Sequence, residues 1–94
     1  MAAYLIAEVE VTDPVAYERY RPLAAASIAR HGGKYIVRGG ATEALEGTAP
    51  NRVVVLEFAS LAAARAFYTS PDYSEALEIR KAASRSRVFL VEGM

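Results

Sequence analysis

Several residue types that carry common protein chemistry are scarce or absent in this chain of 94 residues. It has no cysteine and no tryptophan, and its only histidine is His31. The missing cysteines exclude a disulfide scaffold, a thiolate nucleophile, a cysteine zinc site and a thiolate-ligated iron–sulfur cluster. One histidine leaves little for a histidine-rich metal site. We therefore expect no metal and no cofactor.

The chain also lacks net charge and long apolar runs. Its 11 lysines and arginines balance 11 acidic residues, so it has no general attraction to nucleic acids or anionic membranes. No apolar run approaches the ~20 residues that span a bilayer. The first residues lack a basic start, and Glu8 follows too soon for a secretory signal. We expect a cytoplasmic protein without nucleic-acid or membrane partners.

What the sequence does contain is enough apolar material for one core. The hydrophobic fraction is 53% and the charged fraction 23%, which favours a packed globule over a disordered chain. Chains of this length usually form one core. We expect a single domain over residues 1–94.

Strand and helix signals alternate along the chain. Asp13-Pro14, Ser60 and Ser70-Pro71 are typical helix starts, and Pro22 predicts a kink or a break in the first helix. The patterns predict strands over 3–11, 34–38, 52–59 and 87–92, helices over 14–31, 61–69 and 71–84, and further extended pairing over 42–45. This order predicts an α+β, ferredoxin-like β-α-β-β-α-β fold, a four-stranded antiparallel sheet with helices on one face.

Alternation along each strand sorts the side chains onto two faces of the sheet. The more apolar set is predicted to face the helices: Leu5, Ala7, Val9, Tyr35, Val37, Val54, Leu56, Phe58, Phe89 and Val91. The other set is predicted to lie on the uncovered face: Tyr4, Ile6, Glu8, Ile36, Arg38, Val53, Val55, Glu57, Val88, Leu90 and Glu92. The second set is too apolar for water, and such patches usually mark an interface. We expect a homodimer in which two sheets pack face to face as a dimeric α/β barrel.

Charged residues on that uncovered face are the first candidates for chemistry. Arg38 and Glu57 are predicted to pair in a partly dry interior, where charges need partners. The guanidinium would clamp a carboxylate, enolate or carbonyl oxygen, and Glu57 or Glu8 would act as a general base. The alternative is a structural ion pair that closes the barrel.

The helices add further candidates. Tyr17, Tyr20 and His31 share one stripe of the first helix, which is typical of core packing, with His31 as a cap or surface group. Tyr73 and Arg80 share a stripe after Pro71 and are candidates for the pocket wall. The candidate ligand-binding residues are Arg38, Tyr73, Arg80, Tyr4 and His31.

Two known activities of this strand and helix order are disfavoured. RNA-recognition modules carry a basic-glycine-aromatic pattern on the third strand, whereas this strand has no glycine and places Glu57 on the open face. An acylphosphatase-like anion cradle needs a glycine-rich loop after the first strand, and Thr12-Asp13-Pro14 provides none.

A family resemblance covers nearly the whole chain. It is carried by these segments: Tyr4-Leu5-Ile6-Ala7; Asp13-Pro14 with Tyr17 and Tyr20; Gly32-Gly33-Lys34-Tyr35 and Val37-Arg38-Gly39-Gly40; Val54-Val55-Leu56-Glu57-Phe58; Ala66-Phe67-Tyr68; and Ser70-Pro71-Asp72-Tyr73. The sequence resembles the bacterial domain-of-unknown-function family numbered 1330, of the dimeric α/β-barrel superfamily. The resemblance implies a homodimer and makes Arg38, Glu57 and Tyr73 pocket candidates. His31 departs from the aromatic residue common before the glycine pair.

The resemblance also limits the functions to consider. The wider superfamily includes cofactor-independent monooxygenases, muconolactone-isomerase-like enzymes and haem-degrading enzymes, which use the cavity between sheet and helices. Our hypothesis is a homodimer that binds a small carboxylated or enolisable molecule, as a cofactor-free isomerase or monooxygenase. The alternative is a non-catalytic ligand sensor or structural dimer.

Overall fold

The computed structural model describes all 94 residues and contains four strands, three α-helices and one 3₁₀ turn. The elements are β1 (Ala3–Val11), α1 (Pro14–Arg30), β2 (Lys34–Arg38), β3 (Arg52–Phe58), α2 (Leu61–Tyr68), the 3₁₀ turn (Pro71–Tyr73), α3 (Ser74–Ala83) and β4 (Ser84–Glu92). The strands form one sheet in the order β2-β3-β1-β4, and all neighbours are antiparallel. This confirms the predicted ferredoxin-like fold. Within one chain the sheet does not close into a barrel.

The first two helices begin at the predicted caps, whereas Ser70 makes no side-chain cap and a 3₁₀ turn precedes α3, which begins at Ser74. Asp13 accepts a hydrogen bond from the amide of Ala16, and Ser60 accepts one from the amide of Ala63, both at 3.1 Å. The predicted break at Pro22 is wrong, because α1 runs unbroken through it. Glu18, whose carbonyl loses its helical donor, is exposed, so water can satisfy it. No helix has the length and apolar character needed to span a bilayer.

The core lies between the helices and one face of the sheet. Leu5, Ala7 and Val9 of β1 are buried there, as predicted. Phe67 of α2 is 1% exposed, and its ring centroid lies 4.5 Å from that of Tyr73 and 5.4 Å from that of Phe58. These aromatic contacts join α2 and the 3₁₀ turn to the sheet.

The predicted faces of Val37 and Arg38 in β2 are wrong because the strand contains a β-bulge. Tyr35 pairs with Leu56, but Val37 pairs with Val55, so Ile36 is an extra residue. A one-residue shift moves each following side chain to the opposite face. Val37 therefore lies on the open face, and Arg38 lies on the face that the helices cover.

The predicted faces of β4 are reversed. Leu90 pairs with Leu5 and Val88 with Ala7, so both lie on the helix-covered face. Phe89 and Val91 lie on the open face and are 42% and 43% exposed. Both alternating sets are apolar, so hydrophobicity could not choose between them. Only the pairing register with β1 fixes the choice.

Two boundaries also differ from prediction. β4 begins at Ser84 instead of residue 87, directly after α3. Residues 42–45 do not pair with the sheet, and the connection between β2 and β3 contains two glycines with positive φ, Gly39 and Gly47. This connection is largely exposed.

A cluster centred on Asp72 fastens the end of α1 to the 3₁₀ turn. The Ser27 hydroxyl donates to Asp72 Oδ2 at 2.8 Å, and His31 Nε2 lies 3.1 Å from Asp72 Oδ1. Arg30 Nη1 lies 3.3 Å from Asp72 Oδ2. Hydrogen bonds from His31 and then Ser27 hold the pKa of Asp72 well below its usual range. The ionised carboxylate therefore stabilises the fold.

We expect Asp72→Asn to destabilise the protein by an amount that depends on pH. Because the folded pKa of Asp72 is lowered, its stabilisation is complete above the unfolded pKa of about 3.9 and is lost as pH falls through the folded pKa. Urea unfolding from pH 5 to pH 2.5 should show the difference from wild type shrinking with acid. Glu78→Gln, at an exposed position on α3, serves as the control. A difference that stays constant over this range would contradict the role of Asp72.

Candidate functional site

A cavity lies between the helices and the covered face of the sheet. Its floor includes Ala7 of β1 and Val54 of β3, and its walls come from α1, α2 and α3. The space that the centre of a water molecule can occupy is about 40 Å³. The cavity is therefore large enough to admit water or a small polar group.

The lining of this cavity has an unusual composition. Its residues are Leu5, Ala7, Val9, Tyr17, Tyr20, Arg21, Ile28, Tyr35, Arg38, Arg52, Val54, Leu56, Phe67, Tyr68, Tyr73, Arg80 and Val88. Five are tyrosines and four are arginines, whereas none is an aspartate, glutamate or histidine. The lining thus offers many hydrogen-bond donors and a positive charge that no lining carboxylate balances.

Arg80 lies at the α3 end of the cavity. It lies in the last turn of α3 and is 5% exposed. Its Nη2 donates to the Tyr68 hydroxyl at 3.5 Å, and no carboxylate lies within 4 Å of its guanidinium. Burial lowers the pKa of Arg80, but Tyr73 and Tyr20 raise it to give a net upward shift. Arg80 is therefore a buried cation without an anionic partner, an arrangement that costs stability.

Two tyrosines meet beside Arg80. The hydroxyl oxygens of Tyr20 and Tyr73 are 2.7 Å apart and share one hydrogen bond, and their rings meet edge to face. Burial, followed by Tyr73, raises the pKa of Tyr20 far above its ordinary value. Tyr20 therefore stays protonated. Because one hydroxyl of the pair donates to the other, one O–H remains free to donate to an oxygen placed near Arg80.

Arg38 and Arg21 lie at the exposed mouth of the cavity. The Arg38 guanidinium stacks on the ring of Tyr35 at 4.2 Å from the centroid, a contact that orients the charge. Burial, opposed by Arg38, raises the pKa of Tyr35. Arg21 lies 3.6 Å from Glu18, so its charge is partly balanced outside the cavity.

Arg52, at the start of β3, is held against the backbone of Gly39. A Cβ at Gly39 would lie 2.0 Å from Arg52 Nη1, and Gly39 has a φ of +69°. Only glycine accepts both conditions easily. The Nε of Arg52 is buried and has no hydrogen-bond partner.

The predicted site residues divide into three groups. Arg38, Tyr73 and Arg80 line the cavity. Tyr4, Glu8 and Glu57 lie on the open face, with the sheet between them and the cavity. There the Tyr4 hydroxyl donates to Glu57 at 3.4 Å, and Arg87 makes a two-point contact with Glu8 at 3.1 and 3.3 Å. His31 belongs to the Asp72 cluster and does not line the cavity.

The predicted pair of Arg38 and Glu57 does not form. Glu57 pairs with Tyr4 on the open face, while the bulge at Ile36 places Arg38 on the covered face. The general-base candidates Glu57 and Glu8 therefore do not reach the cavity that Arg38 lines.

Other lining residues were missed by sequence reasoning. Arg52 has the same parity as Val54 and Leu56, so alternation along β3 could have placed it on the covered face. Tyr20, Tyr35 and Tyr68 were treated as packing residues or left unassigned, and only the three-dimensional structure brings their side chains to one cavity. No three acidic or histidine side chains come together as a metal site.

Several solved structures share the fold of this chain. A protein of unknown function from Rhodopseudomonas palustris is 24% identical with a TM-score of 0.81, over 99% of this chain and 82% of that one. SnoaB, a cofactor-independent oxygenase from Streptomyces nogalater, is 18% identical with a TM-score of 0.66, over 99% and 93% of the two chains. A dimeric ferredoxin-like protein of unknown function from Jannaschia sp. CCS1 is 17% identical with a TM-score of 0.69, over 99% and 100%.

Sequence comparison defines the family. No curated protein matches the sequence. The family model for the domain of unknown function DUF1330 matches residues 2–94, nearly the full length, as the sequence resemblance predicted. The chain is a member of the DUF1330 family.

Proposed function

We propose that the protein is a homodimer and that each cavity binds a small carboxylated or enolisable organic molecule as its anion. The observation that carries this proposal is Arg80, a buried guanidinium with tyrosine hydroxyls around it and no carboxylate within 4 Å. A carboxylate or enolate would supply the missing charge and accept hydrogen bonds from Arg80 and Tyr73.

The same donors would assist a cofactor-free reaction. A substrate that ionises to an enolate places negative charge on an oxygen, and Arg80 with the tyrosine pair would stabilise that charge. Isomerisation and oxygenation of such substrates both proceed through this anion. The similarity to SnoaB supports this reaction class, since that protein is a cofactor-independent oxygenase with the same fold.

One observation favours a second candidate, binding without turnover. No carboxylate or histidine lines the cavity, and the raised pKa of Tyr20 makes its phenol a poor base. A general base near neutral pH is therefore missing from the lining. A ligand sensor needs none.

The open face supports the homodimer. Val37, Phe89 and Val91 are 38%, 42% and 43% exposed there, beside Ile6 and Val55. A second copy would cover this apolar strip. The dimeric ferredoxin-like protein from Jannaschia shares the fold of this chain. The cavity opens on the other side of the sheet.

We expect Arg80→Met to separate stability from binding. The variant removes a buried charge and keeps the side-chain volume, so its unfolding free energy should equal the wild-type value or exceed it by up to ~2 kcal/mol. Thermal-shift titrations with benzoate, salicylate and acetoacetate should stabilise wild type and leave the variant unchanged. Arg19→Met, on the exposed surface of α1, should behave as wild type. Equal stabilisation of the Arg80 variant would remove this residue from the site.

One measurement distinguishes catalytic turnover from binding alone. If the cavity promotes enolisation, wild type should speed the exchange of acidic C–H protons of acetoacetate with deuterium oxide, as followed by NMR, and Arg80→Met should not. Stabilisation by acetoacetate without faster exchange would favour the sensor.

We expect Phe89→Asp to give a monomer. A carboxylate at this position on β4 would be buried without a partner in a sheet-to-sheet interface. Sedimentation at micromolar concentration should show a dimer for wild type and for Val15→Asp, whose position on α1 is 82% exposed. Wild type sedimenting as a monomer would contradict the homodimer.

A further inference from the structure

The arginines of the cavity occupy two separate ends. One row of paired residues runs across the sheet from β2 to β4 and consists of Arg38, Val54, Ala7 and Val88. Three strand intervals separate the ends of this row, about 14 Å between backbones. Arg38 stands at one end, and Arg80 borders the same surface depression as Val88 at the other. The floor between them is Val54 and Ala7, which are apolar.

The end of the cavity at which Arg38 stands, called the outer end below, holds two arginines, Arg38 and Arg52, that lack an anionic partner. Arg52 lies on β3, the strand next to that of Arg38. It pairs with Val9 in the adjacent row of the covered face. Neither guanidinium has a carboxylate within 4 Å, and neither donates a hydrogen bond to the protein. The buried Nε of Arg52 has no acceptor. Native structures rarely leave a buried donor unpaired without a functional or ligand-related reason.

Gly39 gives the outer end its shape. Any side chain there would push aside the flexible end of Arg52, because a Cβ at Gly39 would overlap its guanidinium, and would also have to adopt the positive φ of Gly39. The bulge at Ile36 places Arg38 on the same face. The Arg38-Gly39 sequence therefore does two things: it supplies one guanidinium and leaves room for the other.

One continuous cavity connects the two ends. Arg80, Ala7, Val54 and Arg38 all belong to its lining. A ligand bound to Arg80 can therefore extend its remaining atoms along the apolar floor toward the mouth. The mouth is where Arg38 is exposed.

We propose that the ligand carries two acidic groups, one bound by Arg80 with the tyrosine hydroxyls and the other by Arg38 with Arg52. This inference rests on the proposed function, because it assumes that Arg80 binds an anion. The substrate class is a small dicarboxylate, or a carboxylate with an enol or phenol at its other end. The apolar middle of the ligand lies on Val54 and Ala7.

The experiment compares straight-chain dicarboxylates from malonate to adipate with monocarboxylates of equal carbon number, at constant ionic strength. Affinities come from thermal-shift titrations of the full chain. Two-ended binding predicts that the best diacid binds about 10-fold or more tightly than its monoacid, as expected for added charged hydrogen bonds. It also predicts an optimum chain length, which one-ended binding does not.

Variants identify the second end. The double variant Arg38→Met/Arg52→Met should lose the diacid advantage and keep monoacid affinity within about 2-fold of wild type. Gly39→Ala should reduce the same advantage by displacing the Arg52 guanidinium. Arg19→Met/Arg65→Met removes two exposed charges from α1 and α2 and should leave the advantage intact. Urea unfolding of each variant shows that it folds.

The outcomes separate this inference from the proposed function. Monoacids that bind at Arg80 with no tighter diacid would overturn the two-ended ligand and leave the proposed function standing. A diacid advantage that survives Arg38→Met/Arg52→Met would also overturn it. If no acid stabilises wild type, the proposed function itself fails, and the second acidic group fails with it.

Discussion

The arrangement of the cavity depends on one interaction, the contact of a buried arginine with tyrosine hydroxyls in place of a carboxylate. Arg80 is 5% exposed and cannot lose its proton. Tyr68, Tyr73 and Tyr20 offer it oxygen atoms and aromatic rings, but no full negative charge. The fold thus contains a cation whose desolvation is only partly offset. Apolar side chains of similar volume would pack there at lower cost, and this is the ground on which we propose a ligand that supplies the anion.

Charged side chains have different partners on the two sides of the sheet. On the open face the carboxylates have partners: Glu8 contacts Arg87 at two points, and Glu57 accepts from Tyr4. On the cavity side, Arg38, Arg52 and Arg80 have no carboxylate partner. The zero net charge of the whole chain does not reveal this separation of arginines from carboxylates. Eleven basic and eleven acidic residues balance over the chain, yet the cavity lining contains four arginines and no carboxylate.

Much of the fold could be predicted because its signals are local. Asp13-Pro14 and Ser60 fix where α1 and α2 begin, and the alternation of Leu5, Ala7 and Val9 fixes the inner face of β1. The faces of β4 could not be read in this way, since both of its alternating sets are apolar. That choice depends on the register between β1 and β4, which is a property of two distant segments.

The candidate site was harder to predict for the same reason. Arg80 and Tyr73 lie on a helical stripe, so their common position followed from spacing along the chain. Arg38 was expected on the open face beside Glu57, because strict alternation was assumed through β2. One extra residue, Ile36, reverses that assignment. No composition rule signals this bulge, and only the pairing of Val37 with Val55 reveals it.

The bulge also explains how a small sheet can carry both an interface and a site. β2 is an edge strand of five residues. If the same sequence paired without a bulge, Val37 would face the helices and Arg38 would put a charge on the apolar open face. With the bulge, Val37 extends the apolar open face and Arg38 joins Arg52 over the cavity. The bulge absorbs Ile36 within β2, so it sets the faces of Val37 and Arg38 and leaves the register of β1, β3 and β4 unchanged.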